Sequence, residues 1–174
     1  MAAFPRYISY IHAACSEIGD RQILLANLFD EEHGEENHPE LWLRFAEGLG
    51  VSREESRRPA ALLATTNLVE GYFDLVKPDY AVGLGALYAY ERQTPEVSQS
   101  KIEGLKKHYC IEDFSALQFF VVHKEADEWH TAEIVGLIKR LDQYQQKAVI
   151  NGATKGPQLL WSFLDGMMSI CGYI

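Results

Sequence analysis

The spacing of hydrophobic residues along the chain predicts a series of α-helices. From residue 4 to residue 32 the apolar positions recur every three or four residues, with an interruption at Gly19 and Asp20 that predicts one kinked helix or two shorter ones. The same periodicity predicts further helices over residues 39–49, 60–76, 78–92, 94–109, 113–141 and from there to about 171. No stretch alternates with period two between turn residues. We therefore expect an all-α helical bundle, formed as one domain over residues 1–174.

Local signals mark where some of these helices begin. A proline follows Asn37 and His38, so one of these two residues is the expected N-cap of the helix over 39–49. Ser52 and Glu55 have the spacing of a capping box, which predicts a short helical segment. The proline-containing residues 57–59 are expected to form a loop after it.

Gly83 and Gly85 lie inside the predicted helix over 78–92. This Gly-x-Gly pair has no strand before it and no third glycine after it, so a phosphate-binding loop is a weak interpretation. Close packing of another helix against the glycines is the interpretation we favour.

Composition and charge restrict the kind of partner. The chain carries 25 acidic and 16 basic residues, a net charge of −9, without a basic stripe, which argues against nucleic acid and anionic membranes. Cys15, Cys110 and Cys171 are scattered, which argues against a disulfide framework and against a thiolate zinc site. There is no charged-then-apolar leader and no apolar run of membrane-spanning length. We expect a soluble, cytoplasmic protein.

Three metal-competent side chains share one face of the helix over 113–141. His123, Asp127 and His130 fall within about 60° of arc on an α-helix. Two imidazoles and one carboxylate suit iron, manganese or zinc better than calcium or magnesium. The alternative is a polar stripe that is solvated or satisfied within the core.

Other helices offer further candidate ligands. Glu91 stands near the end of an almost wholly apolar helix, where the helix dipole disfavours a carboxylate; the alternative is that it emerges into solvent. Glu31 and His38 flank a break at Gly34 that would let them approach; the alternatives are a solvated acidic run and a helix cap. Together the six residues are a suitable ligand set for two divalent metals, with positions left for dioxygen and substrate.

Five segments give the chain a family resemblance: residues 27–34, 37–50, 88–91, 101–109 and 119–130. In them the sequence is similar to the heme-oxygenase-like di-iron oxidases, above all to the group named for the Chlamydia protein associating with death domains. All six metal positions of that family are filled here, by Glu31, His38, Glu91, His123, Asp127 and His130.

The resemblance implies a seven-helix, heme-oxygenase-like bundle that binds no heme and holds two metal ions, either two irons or iron with manganese. It implies dioxygen as co-substrate and p-aminobenzoate, for folate synthesis, as product, made from a small molecule or from a tyrosine of the protein itself. Tyr90 and Lys101 match the family's second tyrosine and the lysine proposed as amino donor.

The resemblance also indicates a shortened N-terminus. The family has a helix, and the start of a second, before the segment that matches residues 3–7. That part carries the tyrosine thought to be consumed and covers one side of the site. Either this sequence is a shortened one, or the protein is a naturally trimmed member of the family. In the second case the aminobenzoate reaction is in doubt, and the partly uncovered core favours a homodimer or low stability.

Two other classes of function are compatible with the fold. TenA-like thiaminases and the pyrroloquinoline quinone synthesis C protein share it without a metal pair. A thiaminase requires a nucleophilic cysteine, and none of the three cysteines lies in a motif that suggests one. The other class is an interaction protein that binds death domains or another partner and keeps a vestigial site.

Overall fold

The computed structural model describes residues 2–57 and 62–173. These ranges contain nine helices and no strand. The helices are α1 Phe4–Ala14, α2 Ile18–Glu32, α3 His38–Gly48, α4 Arg53–Arg57, α5 Leu63–Val76, α6 Tyr80–Glu91, α7 Thr94–Tyr109, α8 Phe114–Arg140 and α9 Gln143–Ile170. The prediction of an all-α bundle is confirmed.

The predicted helix boundaries agree with these bounds to within three residues wherever both can be compared. The region of residues 4–32 forms two helices, one of the two forms expected. The predicted loop at 57–59 and the predicted helix start at residue 60 fall largely on residues 58–61, which lie outside the described residues. The described residues form nine helices instead of the seven that the resemblance implies, and one of the additional two is the five-residue α4.

The predicted caps form as hydrogen-bonded turns. The side chain of Asn37 accepts a hydrogen bond from the backbone N–H of Glu40 at 3.0 Å, which makes Asn37 the N-cap of α3. Ser52 and Glu55 bond reciprocally before α4, because the N–H of Glu55 donates to Ser52 Oγ and the N–H of Ser52 donates to Glu55 Oε2. Gly34 has φ +81°, a conformation that suits glycine and that ends α2 sharply.

Helices α6 and α9 form the most extensive helix pair, and glycine makes their approach possible. A Cβ on Gly85 would overlap with the backbone carbonyl of Val149, and a Cβ on Gly152 would overlap with that of Val82. A Cβ on Gly83 would press on Ile11 of α1. Close helix packing, rather than phosphate binding, is thus the structural role of Gly83 and Gly85.

Two apolar clusters form the core, one near each end of α8. The larger includes Ile8, Leu24, Leu84 and Leu137, each fully buried. The smaller consists of Leu41, Leu105, Leu117, Phe119 and Phe120. Between the residues of α8 that enter these clusters lie its two histidines and its aspartate. In the described part of the chain, no helix is both long enough and apolar enough to cross a membrane.

Candidate metal centre

The six predicted ligand residues lie together in the middle of the bundle. Each of them is at most 4% exposed, although all are polar or ionisable. Four helices contribute them: α2, α3, α6 and α8 supply, in chain order, Glu31, His38, Glu91, and the three residues His123, Asp127 and His130. The break between α2 and α3 folds Glu31 and His38 together, as the sequence suggested.

Glu31, His38 and His123 form one half of this cluster. Glu31 Oε1 lies 2.8 Å from His38 Nδ1, and the imidazole centroids of His38 and His123 are 4.2 Å apart. Each residue offers one ligand atom such that the three atoms all lie within 4.8 Å of one another. Two imidazole nitrogens and one carboxylate oxygen at this spacing can bind one transition-metal ion.

The orientation of His123 is set by its own helix. Its Nδ1 lies 2.7 Å from the carbonyl oxygen of Phe119, which can only accept, so Nδ1 carries the proton and donates. The lone pair of Nε2 is therefore free. Burial lowers the pKa of His123 below its ordinary value, with the neighbouring His38 acting in the same direction, so the ring stays neutral, as a metal ligand requires.

Glu91, Asp127 and His130 are the other three candidate ligands, and we call them the second half; among the described residues, only the first half has three ligand atoms within 4.8 Å of one another. Burial raises the pKa of Glu91 to about 8, and the charges of Asp127 and Glu31 add to the effect. His130 Nδ1 lies 3.5 Å from Asp127 Oδ1. Burial alone would lower the pKa of His130, but the carboxylates of Asp127, Glu91 and Asp30 outweigh it and raise the pKa to about 9. The metal-free cluster therefore holds protons that a cation would displace.

Two further polar residues of α2 contact this second half, and the sequence analysis gave neither of them a role. Asn27, itself buried, donates from Nδ2 to Glu91 Oε1 at 2.8 Å. Asp30 Oδ2 lies 3.1 Å from His130 Nε2. A signal was present in the sequence, because positions 27, 30 and 31 share one face of a helix within about 100° of arc.

Tyr90 and Lys101 both line a cavity beside the cluster. The cavity has a volume of about 340 Å³, and its wall is mostly apolar, with Trp42, Phe119 and His123 among its lining residues. Tyr90 is half-buried and stacks on Phe4 with ring centroids 4.5 Å apart. Burial, together with the charges of Glu31 and Asp127, raises the pKa of its phenol, so the hydroxyl stays protonated. Lys101 is exposed at the rim of the cavity.

The buried polar atoms of the cluster fit a bound cation. Among the described residues, six of its buried atoms make no hydrogen bond of regular geometry: Glu31 Oε1 and Oε2, His38 Nδ1, Glu91 Oε2, His123 Nε2 and His130 Nδ1. Glu31 Oε1 and His38 Nδ1 face each other at 2.8 Å, and His130 Nδ1 lies 3.5 Å from Asp127 Oδ1. Buried polar atoms are normally satisfied, and each one left unpaired costs about 1–3 kcal/mol. All six are lone-pair donors of the kinds that iron and manganese accept. The residues present thus suit metal ions.

Comparison with known proteins also indicates an iron-binding enzyme. The family model described as iron-containing redox enzyme matches residues 1–161. A 4-aminobenzoate synthase of Chlamydia pneumoniae is 39% identical over 169 residues, which cover 96% of this chain and 75% of that protein. Another of the same name, from Nitrosomonas europaea, is 40% identical over 178 residues, covering 95% of this chain and 72% of the relative.

Two more distant matches are a sequence relative with another name and a solved structure. A pyrroloquinoline-quinone synthase of Ruegeria pomeroyi is 27% identical over 122 residues, 68% of this chain and 51% of that protein. The crystal structure of a CADD-like protein of unknown function from Nostoc punctiforme superposes with a TM-score of 0.77 at 18% identity, covering 92% of this chain and 74% of that one. It shares the fold. By sequence, fold and buried histidine–carboxylate cluster alike, this chain belongs to the family of iron-containing redox enzymes with the heme-oxygenase-like fold.

Proposed function

We propose that this enzyme is an oxygen-activating, non-heme oxidase that holds two metal ions in the buried cluster. One ion has Glu31, His38 and His123 as its donors, and the other has Glu91, Asp127 and His130. We assign iron to at least one position, since the family is one of iron-containing enzymes, with manganese as the alternative in the other. When bound, such a pair supplies the one-electron chemistry that dioxygen needs to react with an organic substrate.

The observation that carries this proposal is the cluster of six buried ionisable residues on four helices, in which Glu31 Oε2, Glu91 Oε2 and His123 Nε2 have no hydrogen-bond partner. Apolar residues at these positions would pack the core without the cost of desolvating three carboxylates. A protein interior keeps such a cluster at a high cost in stability unless a cation offsets it. Two divalent ions would more than offset the negative charge of the three carboxylates and would use the neutral imidazoles as ligands.

For the substrate, the proposal follows the relatives named 4-aminobenzoate synthase. We assign to this chain the formation of 4-aminobenzoate, a folate precursor, from a tyrosine-derived ring supplied by a polypeptide or as a small molecule. The apolar cavity would exclude water from that ring, Tyr90 would keep its phenol proton beside it, and Lys101 would bring an amine to the rim. The cytoplasmic location, the homodimer and the absence of nucleic-acid and membrane partners stay predictions.

The test is product formation from protein loaded with Fe(II) without air and then exposed to dioxygen. We expect 4-aminobenzoate, detected by mass spectrometry, only when both iron and dioxygen are supplied. Product formed without metal would contradict the oxidase assignment. No product from metal-loaded, oxygen-exposed protein, with or without added tyrosine, would contradict the aminobenzoate assignment.

A further inference from the structure

Helix α2 contacts both halves of the cluster, but in different ways. It supplies Glu31 as a candidate ligand to the first half. To the second half it presents Asn27 and Asp30, which contact Glu91 of α6 and His130 of α8. All three α2 residues lie on one helical face. This one helix therefore supplies one candidate ligand, Glu31, and contacts two others, Glu91 and His130.

The contact between Asp30 and His130 fixes which imidazole nitrogen faces the cluster. A carboxylate accepts, so His130 Nε2 carries the proton and donates to Asp30 Oδ2 at 3.1 Å. Nδ1 is then the nitrogen that faces the cluster, 3.5 Å from Asp127 Oδ1, and it offers a lone pair once a cation displaces its proton. Metal-binding histidines are commonly oriented by such a carboxylate on their other nitrogen.

The contact between Asn27 and Glu91 likewise gives the two carboxylate oxygens of Glu91 different roles. Oε1 of Glu91 receives the amide N–H of Asn27 at 2.8 Å, while Oε2 is buried and unpartnered. One oxygen is thereby anchored and the other is left for a ligand bond. Asn27 is 3% exposed and carries no charge, so its amide N–H holds the carboxylate oxygen without adding a second charge to the site.

The first half has no such support from α2 side chains. His123 is oriented by the backbone of its own helix, through the carbonyl of Phe119, and it lines the cavity. The contact that orients His123 is thus distinct from the side-chain contacts that orient Glu91 and His130.

We infer that Asn27 and Asp30 are positioning residues that set the metal affinity of the second half, Glu91, Asp127 and His130, and leave that of the first half unchanged. This inference rests on the proposed two-metal centre. It predicts that the two metal ions bind in two separate phases, and that substitutions at Asn27 or Asp30 change the metal affinity of only one phase.

The experiment is an anaerobic titration of full-length, metal-free protein with Co(II), whose visible absorption reports the ligand geometry of each bound ion. In Asp30→Ala we expect one of the two equivalents to bind roughly 10–100-fold more weakly, with an altered spectrum, and the other to be unchanged. Asp30→Asn keeps an oxygen acceptor for His130 and is expected to recover most of the affinity. Glu32→Ala, an exposed acid on the same helix, is the matched control.

The outcomes separate this inference from the function on which it rests. If wild-type protein binds fewer than two Co(II), the proposed two-metal centre fails. If it binds two and Asp30→Ala binds both with wild-type affinity and spectrum, the positioning role fails. Asp30 is 47% exposed, so its removal leaves the fold in place, and Asn27→Leu then checks the buried contact on the same titration.

Discussion

Glu31 and His38 meet across the turn between α2 and α3, where Glu31 Oε1 lies 2.8 Å from His38 Nδ1. In a continuous helix these positions would be about 10 Å apart along the axis. The turn brings them together through Gly34, at φ +81°, and through Asn37, which caps α3 and donates from Nδ2 to the carbonyl of Gly34 at 2.7 Å. The geometry of the first half therefore depends on the turn that Gly34 and Asn37 stabilise.

Removing that cap should weaken the turn and the half-site with it. We expect Asn37→Ala to lower the free energy of unfolding by about 1 kcal/mol, the usual value of an N-cap. The matched variant Asn37→Asp keeps the oxygen that accepts from Glu40 and should lose less. Chemical denaturation of the metal-free protein measures both, and equal stability of Asn37→Ala and wild type would show that the cap is not needed.

The contact between α6 and α9 gives a sharper prediction for the fold. A methyl group at Gly85 would overlap with the carbonyl of Val149, so Gly85→Ala must force the two helices apart and should cost several kcal/mol, on the scale of an overpacked core. Gly104 lies inside α7 with nothing within 4 Å of an added Cβ. Gly104→Ala should instead stabilise the protein by up to about 1 kcal/mol through helix propensity. Thermal unfolding of the two variants compares them directly, and a stable Gly85→Ala would contradict the packing.

The helices and most of their ends could be predicted from the sequence because they depend on local features. Periodicity predicted α5 to α9, the Asn37 cap follows from the proline two residues later, and the Ser52 cap follows from Glu55 three residues later. The grouping of the three α8 residues needed only the helical repeat. A local feature, a carboxylate near the end of an almost wholly apolar helix, makes Glu91 a candidate ligand, but nothing local says which way that helix end turns.

The supporting residues could not be identified in this way. Asn27 and Asp30 contact residues 64 and 100 positions further along the chain, so their partners are fixed by how the helices pack. The repeat places them beside Glu31 but does not say that this face meets α6 and α8. The cavity beside His123 likewise depends on side chains from α3, α7, α8 and α9 that come together only in the fold.

Glu91 makes the stability of the metal-free protein depend on pH. Its pKa is about 8 in the folded chain against an ordinary 4.5, so the folded state binds this proton more tightly than the unfolded state. Its contribution to stability is complete below pH 4.5 and is lost as the pH rises through 8. Between pH 5.5 and 8.5 we expect chelator-treated wild type to lose on the order of 2 kcal/mol.

Glu91→Gln is the control for that dependence, because an amide of similar shape does not titrate. Its unfolding free energy should change less than that of wild type over the same range. Denaturant titrations at four or five pH values measure the difference, and equal slopes for the two proteins would contradict the raised pKa. Added Fe(II) should abolish the wild-type slope, since a cation replaces the proton.

Lys101 tests the chemistry at the cavity rim. Arginine keeps the positive charge and most of the length of the side chain, but its guanidinium is not an amine that can supply nitrogen. Lys101→Arg should therefore bind both metals normally and form no 4-aminobenzoate. The control is Lys107→Arg on the same helix, which is exposed and should keep wild-type product formation. Full product formation by Lys101→Arg would exclude a donor role for this lysine.

The central claim is that the buried cluster holds two metal ions, and metal content per chain tests it most directly. Protein expressed with iron and manganese available and purified without chelator should contain about two equivalents by elemental analysis, as expected for six candidate ligand residues. His123→Ala should lose at least one of them with its helical circular dichroism intact, whereas His108→Ala, on the exposed side of α7, should keep both. Wild-type content near zero that anaerobic Fe(II) does not raise, or an unchanged content in His123→Ala, would contradict the account.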